Sequence, residues 1–212
     1  MKPKDKTTKL INMPHNKVEA AIQPIPYVGG SLATLYFGSK HEKRFQRIVT
    51  FYEELSKEVE VMKEEIARIE DYDPDEMAAI LEALNENIEA EALETKRKHY
   101  KQYFKNTLRR PVNGNYDERK MFLDLITILN PIQFEIICIL VQQTTPINSG
   151  QLIKDGIEPA LITGSIELLS NYGIIKKEFE GMVIGGPGGG IHESIELSQF
   201  GARFYQFCMQ ED

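Results

Sequence analysis

The feature that most constrains this chain is a run of eight apolar residues spaced alternately three and four positions apart. The run comprises Phe45, Ile48, Tyr52, Leu55, Val59, Met62, Ile66 and Ile69. On an α-helix this spacing places all eight side chains on one face, and most of the residues between them are charged or polar. The sequence therefore predicts a helix from His41 to Glu70, about 45 Å long at about 1.5 Å per residue. A second helix must cover its apolar face.

That second helix has a clear start signal. Asp73 is a predicted N-cap, Pro74 occupies the first helical position, and Glu76 completes a capping-box spacing. We expect the helix to continue to Leu108, and a break near Glu94 stays open. The two helices are predicted to pack as an antiparallel hairpin over residues 19–110. One hairpin would leave part of the stripe uncovered, so the eight stripe residues are also candidates for a seam between two copies.

Charge is divided sharply along the second helix. Residues 71–94 hold nine acids and no Lys or Arg, whereas residues 96–110 hold seven bases and no acid. The bases are Lys96, Arg97, Lys98, Lys101, Lys105, Arg109 and Arg110. Bases interleaved with aromatic rings can hold nucleic acid. A core stripe of Tyr100, Phe104 and Leu108, with lysines and a solvated His99 on the outer face, is favoured over that function. Pairing of the basic end with the acidic end of a second copy is a third alternative.

Pro111 and Gly114 mark residues 111–116 as a linker, and residues 117–212 as a second domain. Its expected elements are helices at 117–129, 131–143, 149–154 and 159–171, a strand pair at 174–184 and 191–197, and a last helix at 199–209. Asn130 is a predicted N-cap, and Gly173 is a predicted left-handed C-cap. Two cysteines, Cys138 and Cys208, are expected to be separate buried thiols. The fold class is thus mostly α with a two-stranded β-ribbon.

This order of elements resembles that of a winged helix–turn–helix domain over about residues 131–209. The stretch from Leu168 to Ile175 is similar to the end of the third helix and the entry to the wing in that superfamily. The stretch from Leu197 to Gly201 is similar to the exit from the wing. The fold serves many purposes, so the resemblance alone does not decide what the domain binds.

Composition argues against DNA as the ligand of this domain. The expected recognition helix, 158–173, contains two glutamates and no Lys or Arg. Residues 131–212 contain ten acids against four bases, and the whole chain has a net charge of −7. Phosphate contacts supply most of the affinity of DNA-binding proteins, so a contact with protein is favoured. Lys176 and Lys177 on the wing are the residues that favour DNA.

No motif for catalysis, cofactor or metal binding is recognisable. The four histidines lack metal-ligand spacing, and the glycine run 185–190 precedes a predicted strand instead of a helix, unlike a phosphate-binding loop. We therefore expect no catalytic residue, no metal and no cofactor. Residues 1–18 are a predicted flexible basic tail. The apolar segment 24–38 is interrupted by Pro and Gly, so burial in the core is favoured over contact with a membrane. A cytoplasmic location is expected.

Residues 77–143 resemble helical bacterial proteins of the abortive-infection Abi-alpha type. The segments from Glu94 to Tyr100 and from Phe104 to Leu108 carry part of the likeness. The helix pair joined at Pro131 carries the rest. The resemblance implies a role in the bacterial response to phage and supplies no catalytic residues. The sequence thus predicts a non-enzymatic, self-associating interaction protein with an unknown protein partner. The alternative is a winged-helix transcription regulator that binds DNA.

Overall fold

The computed structural model describes residues 42–183 and 190–211, apart from the side chains of a few residues at the edges of these ranges. These residues are mostly helical and include one small antiparallel sheet. They form two compact units, the first ending at Thr127 and the second beginning at Ile128. The predictions for residues 1–18, for residues 24–38 and for the side chain of Phe45 lie outside the described residues.

Helix α1 runs from Glu42 to Val61, so the predicted helix to Glu70 is wrong in its last third. Two single-turn 3-10 helices follow, at Lys63–Glu65 and Ile69–Asp71. The described part of α1 is 20 residues long, which corresponds to about 30 Å. The apolar spacing continues beyond Val61, but the regular helix does not.

The helix ends because the residues after Val61 form hydrogen bonds with a distant segment of the first unit. The amide of Ala67 donates to the carbonyl oxygen of Leu108 at 2.9 Å. The hydroxyl of Tyr72 donates to the same oxygen at 2.6 Å. These bonds hold the segment after α1 against the end of a later helix, and tertiary contacts of this kind override local periodicity.

Helices α2 (Pro74–Ala90) and α3 (Glu94–Arg109) follow, so the break near Glu94 is confirmed. The Asp73 carboxylate accepts from the amides of Asp75 and Glu76, as its predicted N-cap role requires. The predicted capping box is not closed, because the Glu76 carboxylate accepts from the amide of Gly114 instead, at 3.0 Å. Helix α1 contacts both α2 and α3, and α2 contacts α3.

Residues 111–115 are tied into the first unit, and they are not the linker that the sequence predicts. Val112 is fully buried, and its carbonyl oxygen accepts from the amide of Asp73 at 2.8 Å. The side chain of Asn113 donates to the carbonyl oxygen of Asp71 at 3.3 Å. Helix α4 (Tyr116–Ile128) follows directly, so the helix that was expected to open the second domain belongs almost wholly to the first unit.

Among its described residues, the second unit contains three α-helices, α5 (Pro131–Val141), α6 (Pro159–Asn171) and α7 (Gln199–Cys208). Asn130 caps α5 as predicted, and the side chain of Gln133 completes a capping box. Ile137, Leu169 and Phe204, one from each helix, are fully buried. Cys138 and Cys208 form no disulfide, as expected; Cys208 is buried as predicted, whereas Cys138 is only half-buried.

Three strands form the sheet: β1 (Ile147–Asn148), β2 (Ile175–Val183) and β3 (Gly190–Leu197). The strand order is β1-β3-β2, and both pairings are antiparallel. The prediction of a two-stranded ribbon is therefore wrong, because the sheet has a third, short strand, β1. The helix expected at 149–154 is only a 3-10 turn at Ser149–Gln151.

A tight joint connects α6, the sheet and α7. Gly173 has a φ of +73°, which confirms the predicted left-handed cap. Ser198 donates to the carbonyl oxygen of Gly173 at 2.6 Å and accepts from the amide of Gly201 at 2.9 Å. A Cβ atom on Gly201 would lie 2.0 Å from the carbonyl oxygen of Ile174. This joint therefore admits no side chain at position 201.

Candidate interaction surfaces

The apolar stripe of α1 is buried within the single chain. Ile48, Tyr52 and Leu55 have no exposed surface, and Val59 and Met62 are at most 3% exposed. The last two residues of the stripe are less buried: Ile66 is half-buried and Ile69 is 64% exposed. A seam between two copies would require these side chains to be accessible, so their burial removes the main support for an intermolecular seam along α1.

Tyr52 makes the most specific contact of the stripe. Its hydroxyl donates to the side-chain oxygen of Asn85 on α2 at 2.6 Å, and both side chains are buried. The Tyr52 ring also meets the ring of Phe51 edge to face, with centroids 5.3 Å apart. A buried polar pair of this kind fixes the alignment of the two helices, because a shift would leave its groups unpaired.

The bases of α3 meet acids of α1 and of the 3-10 turn that follows it. Lys101 lies 3.2 Å from the Glu54 carboxylate and 3.0 Å from the Glu58 carboxylate. Lys105 lies 3.1 Å from Glu58 on its other oxygen. One turn further along α3, Arg109 lies 2.6 Å from Glu65. We call these residues the α1–α3 ion ladder. Three of the seven bases that were candidates for binding nucleic acid or a second copy are therefore paired with acids of the same chain.

The first bases of α3 engage the end of α2. Lys96 is buried, lies 3.1 Å from the Glu91 carboxylate, and donates to the carbonyl oxygen of Thr127 at 2.7 Å. Arg97 donates to the carbonyl oxygens of Glu91 and Ala92 just after α2. Cations near a helix C-terminus satisfy carbonyls that lack helical partners. Lys98 and Arg110, which complete the basic run, are exposed.

The ion pairs shift the ionisation of their members. Burial alone would raise the pKa of Glu58, but the hydrogen bonds and positive charges of Lys101 and Lys105 outweigh it and leave the pKa below its ordinary value. Burial alone would lower the pKa of Lys101, but the carboxylates of Glu58 and Glu54 leave it raised. Glu91 likewise has a lowered pKa, in which the backbone and Lys96 outweigh burial. All three groups therefore stay charged around neutral pH.

The aromatic residues of the basic run are not available to stack on bases. Tyr100, Tyr103 and Phe104 are at most 1% exposed. Burial raises the pKa of Tyr100 to about 12, and its hydroxyl pairs with that of Thr127 at 3.1 Å. His99, which was expected on a solvated face, is only 8% exposed. Helix α3 is buried on nearly every side because α1, α2 and α4 all approach it.

In the second unit the two lysines of β2 are paired with acids. Lys176 lies 3.2 Å from Glu196 across the β2–β3 ladder. Lys177 lies 3.0 Å from Glu193 and forms a close ion pair with Glu167 of α6. Burial alone would lower the pKa of Lys177, but the two carboxylates leave it raised.

The other two cations of the second unit are also engaged. Lys154 forms a close ion pair with Glu135. The guanidinium of Arg203 stands 5.9 Å from the ring centroid of Phe200. By contrast, Asp155, Glu158, Glu178 and Glu180 are exposed, so this unit offers more accessible carboxylates than accessible cations.

Helix α6 presents an exposed apolar strip that the sequence analysis did not identify. Leu161 and Leu168 are 48% and 45% exposed, and a Cβ on Gly164 between them would meet nothing within 4 Å. We call Leu161, Gly164 and Leu168 the α6 strip. The sequence signal was present, because the core residues Ile162 and Leu169 each have an apolar neighbour one position earlier, on a second face of the helix.

The second unit has an open cleft and a smaller apolar groove. An open cleft of about 240 Å³ lies between the end of α5, β3 and α7, with Gln143, Thr145 and Glu196 among its polar lining residues. A smaller apolar groove lies between α5 and α6, with Ile136, Ile153 and Ile162 in its walls. Both are open to solvent, and neither is lined by a cluster of titratable groups.

Within the described residues, no group of three or more His, Cys, Asp or Glu side chains is placed to hold a metal ion. No helix in that part of the chain combines the length and the apolar character needed to cross a membrane. Comparison with protein-family models, with curated proteins and with solved structures gave no match.

Proposed function

We propose that this chain is a non-enzymatic interaction protein whose second unit is a winged helix used to bind protein, not DNA. In this proposal α5, α6 and α7 are the three helices of the winged helix, and β2 and β3 form its wing. The first unit is a helical hairpin, extended by α3 and α4, which buries most of the stripe of α1 within itself. We assign the partner surface to the second unit.

The observation that carries the proposal is the exposed face of α6, the helix that would enter the major groove. It offers no cation, and its exposed side chains include two leucines and Glu167. A helix docked on DNA lies among phosphates and needs positive charge or hydrogen-bond donors there. Apolar side chains exposed on that helix favour contact with another protein.

The paired lysines add a weaker argument in the same direction. Lys177 is 84% buried between two carboxylates, so phosphate would have to displace both. Lys176 and Lys154 are about half exposed, and ion pairs at that exposure contribute only about 0–1 kcal/mol. Lys176 and Lys154 can therefore leave their acids at little cost to bind phosphate. The charge of α6 itself is what decides between binding protein and binding DNA.

A titration of duplex DNA tests the proposal. A fluorescent random duplex of about 20 base pairs is mixed with the full chain at about 20 mM salt, where electrostatic binding is strongest. We expect no rise in anisotropy at protein concentrations that saturate nonspecific DNA-binding proteins, roughly 10⁻⁴ M or less at physiological salt. Binding that weakens steeply with added salt would overturn the proposal and favour the transcription regulator.

A matched variant shows that the assay can detect the effect. In Glu167→Gln/Glu193→Gln both carboxylates that hold Lys177 become neutral, while side-chain size is kept. We expect this variant to bind the duplex more tightly than the wild type, because it gains a free cation and loses two repelling charges. If the variant binds and the wild type does not, the acidic surround of α6 excludes DNA.

The role in the bacterial response to phage stays a prediction that the resemblance to the abortive-infection proteins implies. Plaque counts on a bacterial host that expresses the chain test it, with the empty host as reference. Fewer plaques in the expressing host would support the role. A further set of variants on α6 would then show whether the contact surface proposed here takes part.

A further inference from the structure

The open cleft between α5, β3 and α7 has strand main chain in one wall. We call it the α5–β3 cleft; its lining includes Leu140, Gln143, Thr145, Glu196, Leu197 and Ala202. Antiparallel strands alternate pairs that exchange hydrogen bonds with pairs that do not. The amide of Ser198 donates to the carbonyl oxygen of Ile174 at 3.0 Å, so this pair is a bonded one. Leu197, opposite Ile175, is therefore in a non-bonded pair, and its main-chain groups point away from β2.

Strand β1 stops before it reaches these groups of Leu197. Ile147 pairs with Ile195, so the residue that would next oppose β3 at Leu197 is Thr145. Thr145 lies outside the strand, and among the described residues no hydrogen bond joins it to Leu197. Leu197 is only half-buried and lines the cleft. Its carbonyl oxygen is therefore available as an acceptor to a group that enters the cleft.

The α5–β3 cleft is negatively charged and rich in acceptors. Glu196 is the charged residue in its lining, and its side chain is 39% exposed. The C-terminal turn of α5 forms another wall, and the carbonyl end of a helix carries partial negative charge. A cation that donates hydrogen bonds therefore fits this cleft better than an anion does.

The remainder of the cleft suits the stem of a long side chain. Leu140, Ile195 and Ala202 supply apolar lining. Long cationic side chains bury their methylene stems on such surface and keep the charged head on polar partners. The cleft volume of about 240 Å³ is far more than a single water molecule requires.

We propose that the α5–β3 cleft binds an arginine side chain of a partner protein. The guanidinium presents several N–H donors in a fixed fork. They donate to the Glu196 carboxylate and to the Leu197 carbonyl oxygen, which adjacent residues supply, while the stem lies on the apolar lining. A lysine ammonium is a compact point charge and matches two separate acceptors less well. The proposal rests on the proposed function, because it requires the second unit to bind protein, and it adds the chemistry of the partner: a basic segment that contains arginine.

The charge of the second unit agrees with a basic partner. Residues 131–212 hold ten acids against four bases. Lys176 is the cation beside the cleft, and it lies 3.2 Å from Oε1 of Glu196, which leaves Oε2 for a guanidinium. The Lys176 side chain is 58% exposed, and pairs at such exposure hold their members only weakly. Lys176 therefore competes with an incoming arginine without excluding it.

An NMR titration of the isotope-labelled full chain tests the inference. The probe is N-acetyl-arginine amide, and N-acetyl-citrulline amide, of the same length but uncharged, is the matched probe. We expect the arginine probe to shift the backbone amide signals of Thr145, Glu196 and Leu197. Its dissociation constant should be on the order of 1 mM, as ligand efficiency allows for about 15 non-hydrogen atoms. The citrulline probe should bind at least several-fold more weakly.

Three variants assign the binding to this cleft. Glu196→Gln removes the charge at constant size and should weaken binding of the arginine probe at least about five-fold. Lys176→Gln removes the competing cation and should strengthen binding. Glu180→Gln is the matched control, since Glu180 is an exposed carboxylate on β2. It lies about 13 Å along the strand from position 176, beyond the Debye length of about 8 Å, so binding should stay within about two-fold of the wild type.

The outcomes separate this inference from the proposed function. Circular dichroism checks that each variant is folded. Equal binding of the two probes, equal weakening by Glu196→Gln and Glu180→Gln, or signal shifts confined to other surfaces would overturn the inference. The proposed function would survive any of these results as long as duplex DNA does not bind, whereas binding of the duplex would overturn the proposed function itself.

Discussion

Replacement of Tyr52 by phenylalanine tests whether the stripe of α1 is part of a core within one chain. The change removes only the hydroxyl that donates to Asn85 at 2.6 Å and keeps the buried ring. Because Asn85 is 4% exposed, water cannot replace the lost donor. Leaving a buried acceptor unpaired costs about 1–3 kcal/mol, so we expect Tyr52→Phe to lower the free energy of unfolding by about that amount.

Urea denaturation followed by circular dichroism measures the change, and a double-mutant cycle assigns it to the pair. Asn85→Leu removes the acceptor, and Tyr52→Phe/Asn85→Leu removes both groups. We expect the double variant to lose at least about 0.5 kcal/mol less than the sum of the single losses. Tyr116→Phe is the control, since the Tyr116 hydroxyl makes no hydrogen bond among the described residues, and it should change stability by less than about 0.5 kcal/mol.

Two results would refute this reasoning. A Tyr52→Phe variant as stable as the wild type would mean that the hydroxyl is solvated, and hence that α1 and α2 do not pack as described. Strictly additive losses would mean that Tyr52 and Asn85 do not interact. In either case the stripe would again be available as a seam between copies.

Three further predictions concern stability. Gly201→Ala should lower the free energy of unfolding by more than about 2 kcal/mol, because the new Cβ would overlap the Ile174 carbonyl oxygen. Its melting temperature should fall accordingly. Gly164→Ala, in an open helical position, should leave the melting temperature unchanged or raise it. Glu58 has a lowered pKa in the folded chain, so its stabilising effect is present above its ordinary value of 4.5 and is lost as the pH falls through the folded value. Between pH 3 and pH 6 the free energy of unfolding should therefore fall less steeply with decreasing pH for Glu58→Gln than for the wild type. Equal slopes for the two proteins would contradict the ion pairs of Glu58 in the α1–α3 ion ladder. Tyr100 has a pKa raised from 10.0 to about 12, so the unfolded chain releases the phenol proton first and stability falls between these two pH values. Tyr100→Phe should remove that alkaline loss, which is roughly 2–3 kcal/mol. An unchanged alkaline profile would mean that Tyr100 is not buried.

Helix starts could be predicted from the sequence because their causes are local. Asp73, Asn130 and Ser198 each carry a side-chain oxygen that accepts backbone amides within the next three residues. A proline at the first helical position marks two of these starts further. Such signals depend on neighbouring residues alone, so a single sequence contains them in full.

The errors arose where distant segments decide the local structure. Periodicity extends the first helix past Val61, but the carbonyl oxygen of Leu108 draws Ala67 and Tyr72 out of the helical path. Strand β1 has only two residues and no pattern of its own, and it exists because Ile147 pairs with Ile195. No local rule contains these partners, which lie more than 35 positions away.

The candidate surfaces show the same division. The sequence located the basic run and the acidic character of the second unit, because these are properties of composition. It did not show that Lys101 meets Glu54 and Glu58, since residues more than 40 positions apart share no local pattern. It also left the α1 stripe as a candidate seam between copies beside its role in the hairpin, although most of the stripe is buried within one chain.

The loop at residues 111–115 determines where this chain can be divided. Its composition suggests a boundary at which the chain could be divided for separate expression of two halves. Val112 is nevertheless fully buried, and its carbonyl oxygen accepts a hydrogen bond from the amide of Asp73. An N-terminal fragment that stopped at this loop would lack α4 and would leave Tyr100 and Tyr103 without their partners Thr127 and Arg119. Such a fragment would expose the aromatic side of α3 and aggregate, and proteases should spare the intact loop despite its glycine and asparagines.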